Sequence, residues 1–289
     1  MRYSENWKDY ELIDASSGER LERWGDIILI RPDPQIIWQT PKTNPLWNKA
    51  HARYFRSSSG GGNWETYKKV PDIWRISYDS LSFNVKPMGF KHVGVFPEQA
   101  ANWDWMRRKI RQSGRKDISV LNLFAYTGRA TLACLDAGAV VCHVDASKGM
   151  TAWAKENTAL SGFAELPQRW IVDDCVKFVQ REIRRGKHYD AIIMDPPSYG
   201  RGPGGEVWKI EEQIYSLVEL CRQVLSDDPL FFIINSYTTG LSPSVMEYIQ
   251  NTLLCKKLGG KCTADEIGLP VSDSSLILPC GSTSIWERD

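Results

Sequence analysis

A strand-and-helix alternation beginning at residue 118 constrains this chain more than anything else in it. Short, continuously apolar runs (ISVLNLF, VVCHVD, RWIVDD, YDAIIMD and PLFFIINS) are separated by stretches whose apolar residues fall at helical spacing. KIEEQIYSLVELCRQVL shows that spacing at Ile210, Ile214, Leu217, Val218, Cys221 and Leu225. Strands apolar on both faces, alternating with amphipathic helices, require a parallel sheet covered on both sides. The tail, GGKCTADEIGLPVSDSSLILPCGSTSIWE, reads as two strands with no helix between them, so its last pair is expected to be antiparallel. The expected class is therefore α/β, with a mostly parallel sheet and an antiparallel last strand.

The front of the chain reads differently. DIILIRPDPQIIW places two short apolar runs around an R-P-D-P turn, and IWRISYDSLSFNVKP alternates as a hairpin does. Between them, RSSSGGGNW reads as a mobile Gly/Ser loop. AANWDWMRRKIRQ then predicts a helix with Ala100, Trp103, Met106 and Ile110 on one face. Eight of the 12 tryptophans precede residue 106 and suit the core of a small β-rich domain better than a set of stacking platforms. Charge is segregated too. The net charge of +1 conceals a segment, 31–117, with 16 basic and 7 acidic side chains, between flanks that are net acidic. A near-neutral chain is no dedicated nucleic-acid binder, but this segment is a candidate nucleic-acid surface. It is most basic at Arg107, Arg108, Lys109, Arg111, Arg115 and Lys116, where a solvated helix face is an equal alternative.

Several classes are excluded. No run approaches 18 apolar residues and MRYSENWKDYELID lacks an apolar core, so neither a membrane span nor a signal peptide is expected. Seven cysteines without C-x-x-C spacing read as free thiols of a cytoplasmic protein, and four isolated histidines offer no metal cluster.

Ligands of open α/β sheets bind at the carboxyl ends of the strands, and four strand ends here carry unusual residues. The first ends in Phe124-Ala125-Tyr126-Thr127-Gly128, a turn entering a helix. The second ends in Asp145, placed to accept from ribose hydroxyls, although an acid there also suits a helix cap beside Ser147. The third ends in Asp173-Asp174, one expected to cap the helix at Cys175 and the other to bind. The fourth ends in Asp195-Pro196-Pro197-Ser198-Tyr199. One glycine behind a bulky Phe-Ala-Tyr does not make the G-x-G-x-x-G of a dinucleotide site, and neither a G-x-x-x-x-G-K-[ST] loop nor a G-x-S-x-G elbow occurs. Acidic strand ends without an anion cradle suit an adenosine ligand that carries no phosphates, such as S-adenosylmethionine.

VGVFPEQAANW, VLNLFAYTGRATLACLDAGA, VDASKGMTAWAKENTALSG, DDCVKF and DPPSYGRGP together resemble the class I S-adenosylmethionine-dependent methyltransferases. More narrowly, residues 93–285 resemble the bacterial family of 23S ribosomal RNA cytosine-C5 methyltransferases and their relatives. The resemblance implies a Rossmann-like methyltransferase domain over 93–289 behind a β-rich, Trp-rich domain over 1–92. It implies that the Phe124–Gly128 turn cradles the methionine moiety, that Asp145 with Ala146 and Ser147 holds the ribose, and that Asp174 with Cys175 meets the adenine. Phe96, Pro97 and Gln99, with Glu98 between them, would close over the cofactor. Asp195, Pro196 and Pro197 would face the methyl acceptor, Asp195 also bordering the cofactor.

The residues agree with that chemistry. Methyl transfer is an in-line displacement, so catalysis is mostly positioning. Asp195 and a carbonyl such as that of Pro196 can hold both N–H groups of a conjugated amine, and Tyr199 could stack on a flipped base. Gly200-Arg201-Gly202-Pro203-Gly204-Gly205 would be a substrate-side loop. One departure matters. The C5 enzymes carry a nucleophilic cysteine just after the fifth strand, where this chain has Asn235, Ser236 and Tyr237; Cys280 is the one conceivable substitute. The expected function is methylation of an RNA base, at nitrogen rather than at C5, with the basic segment 31–117 meeting the RNA. The alternatives are methylation of a protein side chain or small molecule, and a cofactor-binding protein without catalysis. No oligomer is predicted.

Overall fold

The computed structural model describes residues 1–57, 61–201, 205, 207–238 and 240–288. Ser58, Ser59 and Gly60 of the Gly/Ser stretch lie outside these, as do Gly202, Pro203 and Gly204 of the later glycine run. The chain divides into two compact units, one of Met1–Ala101 with Gly268–Cys280, the other of Asn102–Ile267 with Gly281–Asp289. Position 92/93 falls inside the first.

In unit 1, β1 (Tyr10–Ser16), β2 (Glu19–Trp24), β3 (Ile27–Pro32), β4 (Ala52–Arg56) and β5 (Gly62–Thr66) form one sheet in chain order. All neighbours are antiparallel except β3 and β4. The expected hairpin is present as β6 (Trp74–Tyr78) and β7 (Leu81–Val85), turned through Asp79 at φ +52. The second apolar run of DIILIRPDPQIIW is not a strand. Ile36 is buried while Ile37 stands in solvent, and the carbonyls of Ile36 and Trp38 accept from Gly18 N and Ser17 N. β1 takes its outer partners from late in the chain, where Ser272 N and Asp273 N donate to the carbonyls of Leu12 and Ile13.

An ion pair sits inside this unit. Glu22 is fully buried and accepts Nε and Nη2 of Arg31 at 2.6 and 2.7 Å and the Tyr10 hydroxyl at 2.8 Å. Burial alone would raise the Glu22 carboxyl, but Arg31 outweighs it and holds the group below the usual range. Arg31 lies over the buried Trp24 ring at 5.2 Å and also donates to Lys91 O. Of the other early tryptophans, Trp47 is buried and Trp7 packs on Tyr10 and Tyr78, so these rings are core.

Unit 2 carries the α/β sheet, except that residues 268–270 and 277–280 of its last two strands fall in unit 1. Its elements are β8 (Ser119–Leu123), β9 (Val140–Asp145), β10 (Gln168–Val172), β11 (Ala191–Met194), the ribbon β12 (Tyr199–Arg201) and β13 (Val207–Lys209), β14 (Phe231–Ser236), β15 (Lys261–Pro270) and β16 (Ile277–Glu287). The large sheet runs β10-β9-β8-β11-β14-β16-β15, its first five members parallel and β16 antiparallel to β14. The helices are α1 (Ala100–Gln112), α2 (Arg129–Asp136), α3 (Lys148–Leu160), α4 (Cys175–Arg184), α5 (Ile210–Arg222) and α6 (Pro243–Gln250). Ala100, Trp103, Met106 and Ile110 of α1 are all buried, as their spacing requires.

The basic cluster on and after α1 is mostly spent internally. Arg107 is buried, its Nε 2.7 Å from Asp136, which Arg111 also meets at 2.5 Å. Lys109 pairs with Glu287 at 2.6 Å, and Arg115 pairs with Asp190 at 2.6 Å. Four of the six cations, read equally as a solvated face or a phosphate patch, are therefore held in ion pairs. Asp190 also accepts from the N–H and hydroxyl of Ser119, anchoring the start of β11 to the start of β8.

Candidate active site

Strand register builds the site. Leu123 is level with Val144 on one side and Met194 on the other, and Val172 is level with Asp145. The residues that leave the sheet at its carboxyl edge are therefore Phe124, Asp145, Asp195 and, one step on, Asp173. Sheet order proceeds from β8 outward in both directions, which makes this edge the topological switch point. Asp145 and Asp195 stand two strand spacings apart, about 10 Å.

The turn after β8 is backbone held in an uncommon conformation. Phe124, Tyr126 and Gly128 all have positive φ, at +53, +50 and +87. For the two non-glycines this conformation costs ~1–3 kcal/mol each. Hydrogen bonds fasten the loop on several sides. Tyr126 N donates to Asp145 Oδ2 at 2.8 Å, Ala125 N to Val144 O, and Phe124 N to Cys175 Sγ at 3.4 Å. Thr127 is fully buried, and its carbonyl accepts from Asn157 Nδ2 at 2.9 Å. Gly128 is required for a reason the motif does not reveal. A Cβ there would lie 2.8 Å from the Ala154 Cβ on α3, so close helix packing as well as positive φ excludes a side chain.

Asp145 is half-buried and accepts from Tyr126 N and Ser147 N, each at 2.8 Å. Burial raises its carboxyl above the usual range, against the effect of those two donors. It is not the helix cap; Ser147 is, accepting from Met150 N, and both Ala146 and Ser147 are exposed. Of the next acidic pair, Asp174 caps α4 by accepting Lys177 N at 2.9 Å with Oδ1. Asp173 pairs with Arg181 and accepts Asp174 N. One acid of the pair caps α4 as expected, and it is Asp174, the one that the resemblance sets against the adenine; Asp173 is held in an ion pair. Cys175 is buried, and burial pushes its thiol well up.

On the other flank, Asp195 is half-buried, Pro196 buried, and Pro197, Ser198 and Tyr199 exposed. This loop is tied to β13, which the sequence reading passed over. The Trp208 indole N–H donates to Pro197 O at 2.7 Å, Gly200 is level with Trp208, and Ile210 N donates to Ser198 O. The Trp208 ring also meets the Phe124 ring, centroids 5.3 Å apart. Ser198 Oγ accepts the Thr238 hydroxyl at 2.6 Å, joining the loops after β11 and β14. Ser236 is buried and its Oγ accepts Thr238 N. In unit 1, Pro97 and Gln99 are buried in a short 3-10 turn whose Pro97 carbonyl accepts the Trp7 indole, and Phe96 packs beside His92. Cys280 is buried there too, and burial drives its thiol far up, out of the range of a nucleophile at neutral pH.

The donor set at the carboxyl edge fits S-adenosylmethionine. Asp145, Asp174 and Asp195 would repel phosphates but suit a ribose diol, an amine and a sulfonium cation. Among the described residues no group of three His, Cys, Asp or Glu side chains is arranged to hold a metal ion, and no helix is long and apolar enough to cross a membrane.

Comparison with known proteins agrees. The S-adenosylmethionine-dependent methyltransferase family matches residues 41–238. A crystal structure of a SAM-dependent methyltransferase from Agrobacterium tumefaciens superposes with TM-score 0.94 at 35% identity, covering 100% of this chain and 93% of that one. A protein from Streptococcus mutans solved as a SAM-dependent methyltransferase shares the fold, at TM-score 0.74 and 19% identity over 98% of this chain and 76% of its own. A ribosomal RNA large subunit methyltransferase K/L of Pseudoalteromonas atlantica is 25% identical over 236 residues, 74% of this chain and 32% of its own length. The chain thus spans about a third or less of the curated relatives it matches. With its switch-point turn, its acidic strand ends and a family match over most of its length, this chain belongs to the S-adenosylmethionine-dependent methyltransferases.

Proposed function

We propose that this chain methylates an RNA base at a nitrogen. The observation that carries the reading is the register that sets Asp195, ahead of Pro196-Pro197, level with the Phe124 turn at the switch point. S-adenosylmethionine, when bound, supplies an electrophilic methyl group on a sulfonium. Backbone of Phe124, Ala125, Tyr126, Thr127 and Gly128 holds its methionine end, Asp145 with Ala146 and Ser147 takes the ribose diol, and Asp174 with Cys175 meets the adenine. For Phe96, Pro97 and Gln99 the assignment rests on the motif alone.

On the acceptor side, the Asp195 carboxylate and the Pro196 carbonyl accept the two N–H groups of an exocyclic amine. Held so, the nitrogen would present its lone pair to the methyl donor, and Asp195 would take the proton released as the N–C bond forms and the methyl–sulfur bond breaks to leave a neutral thioether. Tyr199, half-exposed, offers its ring to a base drawn out of its stack. Nitrogen is favoured over C5 because ring activation at C5 needs a nucleophile. β14 ends in Asn235 and a buried Ser236 occupied with a backbone N–H, while Cys280 is held as a neutral thiol. RNA is favoured by the K/L relatives, whose names state a ribosomal RNA large-subunit substrate. In the basic segment 31–117 the side chains left for phosphates are those outside the ion pairs of α1, among them the exposed Arg56, Lys69, Arg108 and Lys116.

Asp195→Ala tests the reading. The variant should bind S-adenosylhomocysteine with wild-type affinity by calorimetry and transfer no labelled methyl to protein-free ribosomal RNA from cells lacking the gene. Nucleoside mass spectrometry of the wild-type product should show an N-methyl base. A C5-methylcytidine product, or no transfer by the wild type, would overturn it.

A further inference from the structure

We propose that Trp208 is a positioning residue that couples the cofactor turn to the acceptor loop. The inference deepens the reading above and rests on it: the Phe124 turn takes the cofactor, and the loop from Asp195 takes the base. Trp208 lies on β13, eleven to thirteen residues after Asp195–Pro197, and neither the turn nor the Asp-Pro-Pro motif includes it. Yet it touches both. Its ring packs on Phe124 at 5.3 Å, and its indole N–H reaches Pro197 O at 2.7 Å.

Each contact falls where a small movement has a large effect. Phe124 sits at φ +53, so its backbone is held by its neighbours rather than by its own preference. Pro197 has no N–H, and its carbonyl is the group through which β13 can grip the loop. The grip is reinforced by the ladder partners Gly200–Trp208 and Tyr199–Lys209, which place Tyr199 on the same two-stranded ribbon. A ligand that orders the Phe124 turn therefore orders the Trp208 ring, and through its indole the Pro197 carbonyl and Tyr199. Coupling of this kind is reciprocal: an acceptor that orders the loop strengthens cofactor binding by the same factor.

The two links separate by substitution. Trp208→Phe keeps a ring for Phe124 and removes the N–H; Trp208→Ala removes both. Hydrogen exchange of residues 195–210 is followed by mass spectrometry with and without S-adenosylhomocysteine, alongside its affinity by calorimetry. In the wild type, the ligand should slow exchange at 124–128 and at 195–210. In Trp208→Phe, affinity should stay within about two-fold while exchange over 195–210 rises about five-fold, the scale of one neutral hydrogen bond, and no longer responds to ligand. In Trp208→Ala, affinity should also fall. A residue that merely stiffened the ribbon would speed exchange without abolishing its response to ligand. Wild-type-like protection in Trp208→Phe overturns the proposal even if Trp208→Ala fails to fold. Ligand protection at 124–128 but not at 195–210 in the wild type overturns it while leaving the cofactor assignment intact. Failure of the wild type to bind S-adenosylhomocysteine overturns both.

Discussion

Gly128→Ala separates the two reasons a glycine can stand at the start of α2, ligand approach and helix packing. A Cβ at this position would lie 2.8 Å from the Ala154 Cβ and 3.3 Å from its Cα, whereas carbon atoms pack at about 3.5–4.0 Å. The helices must part by about 1 Å or the turn must deform. Overpacking of this sort costs about 1–3 kcal/mol. The φ of +87 adds about 1–2 kcal/mol for any residue with a side chain. The expected loss is about 2–5 kcal/mol, read from urea denaturation with the linear extrapolation. Ala154→Gly removes the colliding methyl, at a helix cost of about 1 kcal/mol. The double variant should then be more stable than the sum of the singles by about 1–2 kcal/mol, a coupling the φ penalty cannot produce. Affinity for S-adenosylhomocysteine should fall in Gly128→Ala and recover in part in the double variant. Strict additivity would refute the packing argument. A fully stable Gly128→Ala that no longer binds would show instead that the ligand demands the glycine.

Two further outcomes concern buried charge. Asp136→Asn strips the buried Arg107 of its closest carboxylate and should cost about 2–3 kcal/mol in the same denaturation assay, while the exposed Arg108→Gln should stay within about 0.5 kcal/mol. His143 is held neutral, its pKa pushed down to about 3 by burial, with Nδ1 against Thr131 Oγ1 at 3.0 Å. The unfolded chain takes up a proton below about pH 6.5 that the native ring refuses, so this contribution is present above that pH and lost as pH falls toward 3. His143→Gln should reduce the slope of stability against pH by about 1.4 kcal/mol per unit between pH 4 and 6; an unchanged slope would refute the assignment.

The α/β half of the molecule was legible because burial on both strand faces writes itself as uninterrupted apolar runs. The strand ends followed at once, and with them Phe124, Asp145, the pair Asp173-Asp174 and Asp195, while the choice of Asp174 within its pair came from the resemblance. β2 was less visible. Glu22 occupies a core position there, satisfied by Arg31 of β3, and a charged residue inside a strand disguises its alternation. The cations of α1 misled in the opposite sense. Their partners Asp136, Asp190 and Glu287 lie far along the chain, so a row of positive charge looks free until the fold brings the acids in. Trp208 was missed because a three-residue strand has no periodicity to read, although an aromatic closely following an Asp-Pro-Pro turn was a signal available in the sequence.

The hydrogen bonds that β1 receives from Ser272 and Asp273 bear on how the protein is made. Those donors follow Leu12 and Ile13 by some 260 residues, with nearly all of unit 2 encoded between. Ribosomes add about 5–20 residues per second, so the first strand waits about 13–52 s for its partners. During that interval unit 2 can collapse on its own strands while unit 1 keeps an open sheet edge. The order of synthesis thus hands the earliest part of the chain to the latest, and unit 1 is completed only after the five parallel strands of the catalytic sheet have been synthesised.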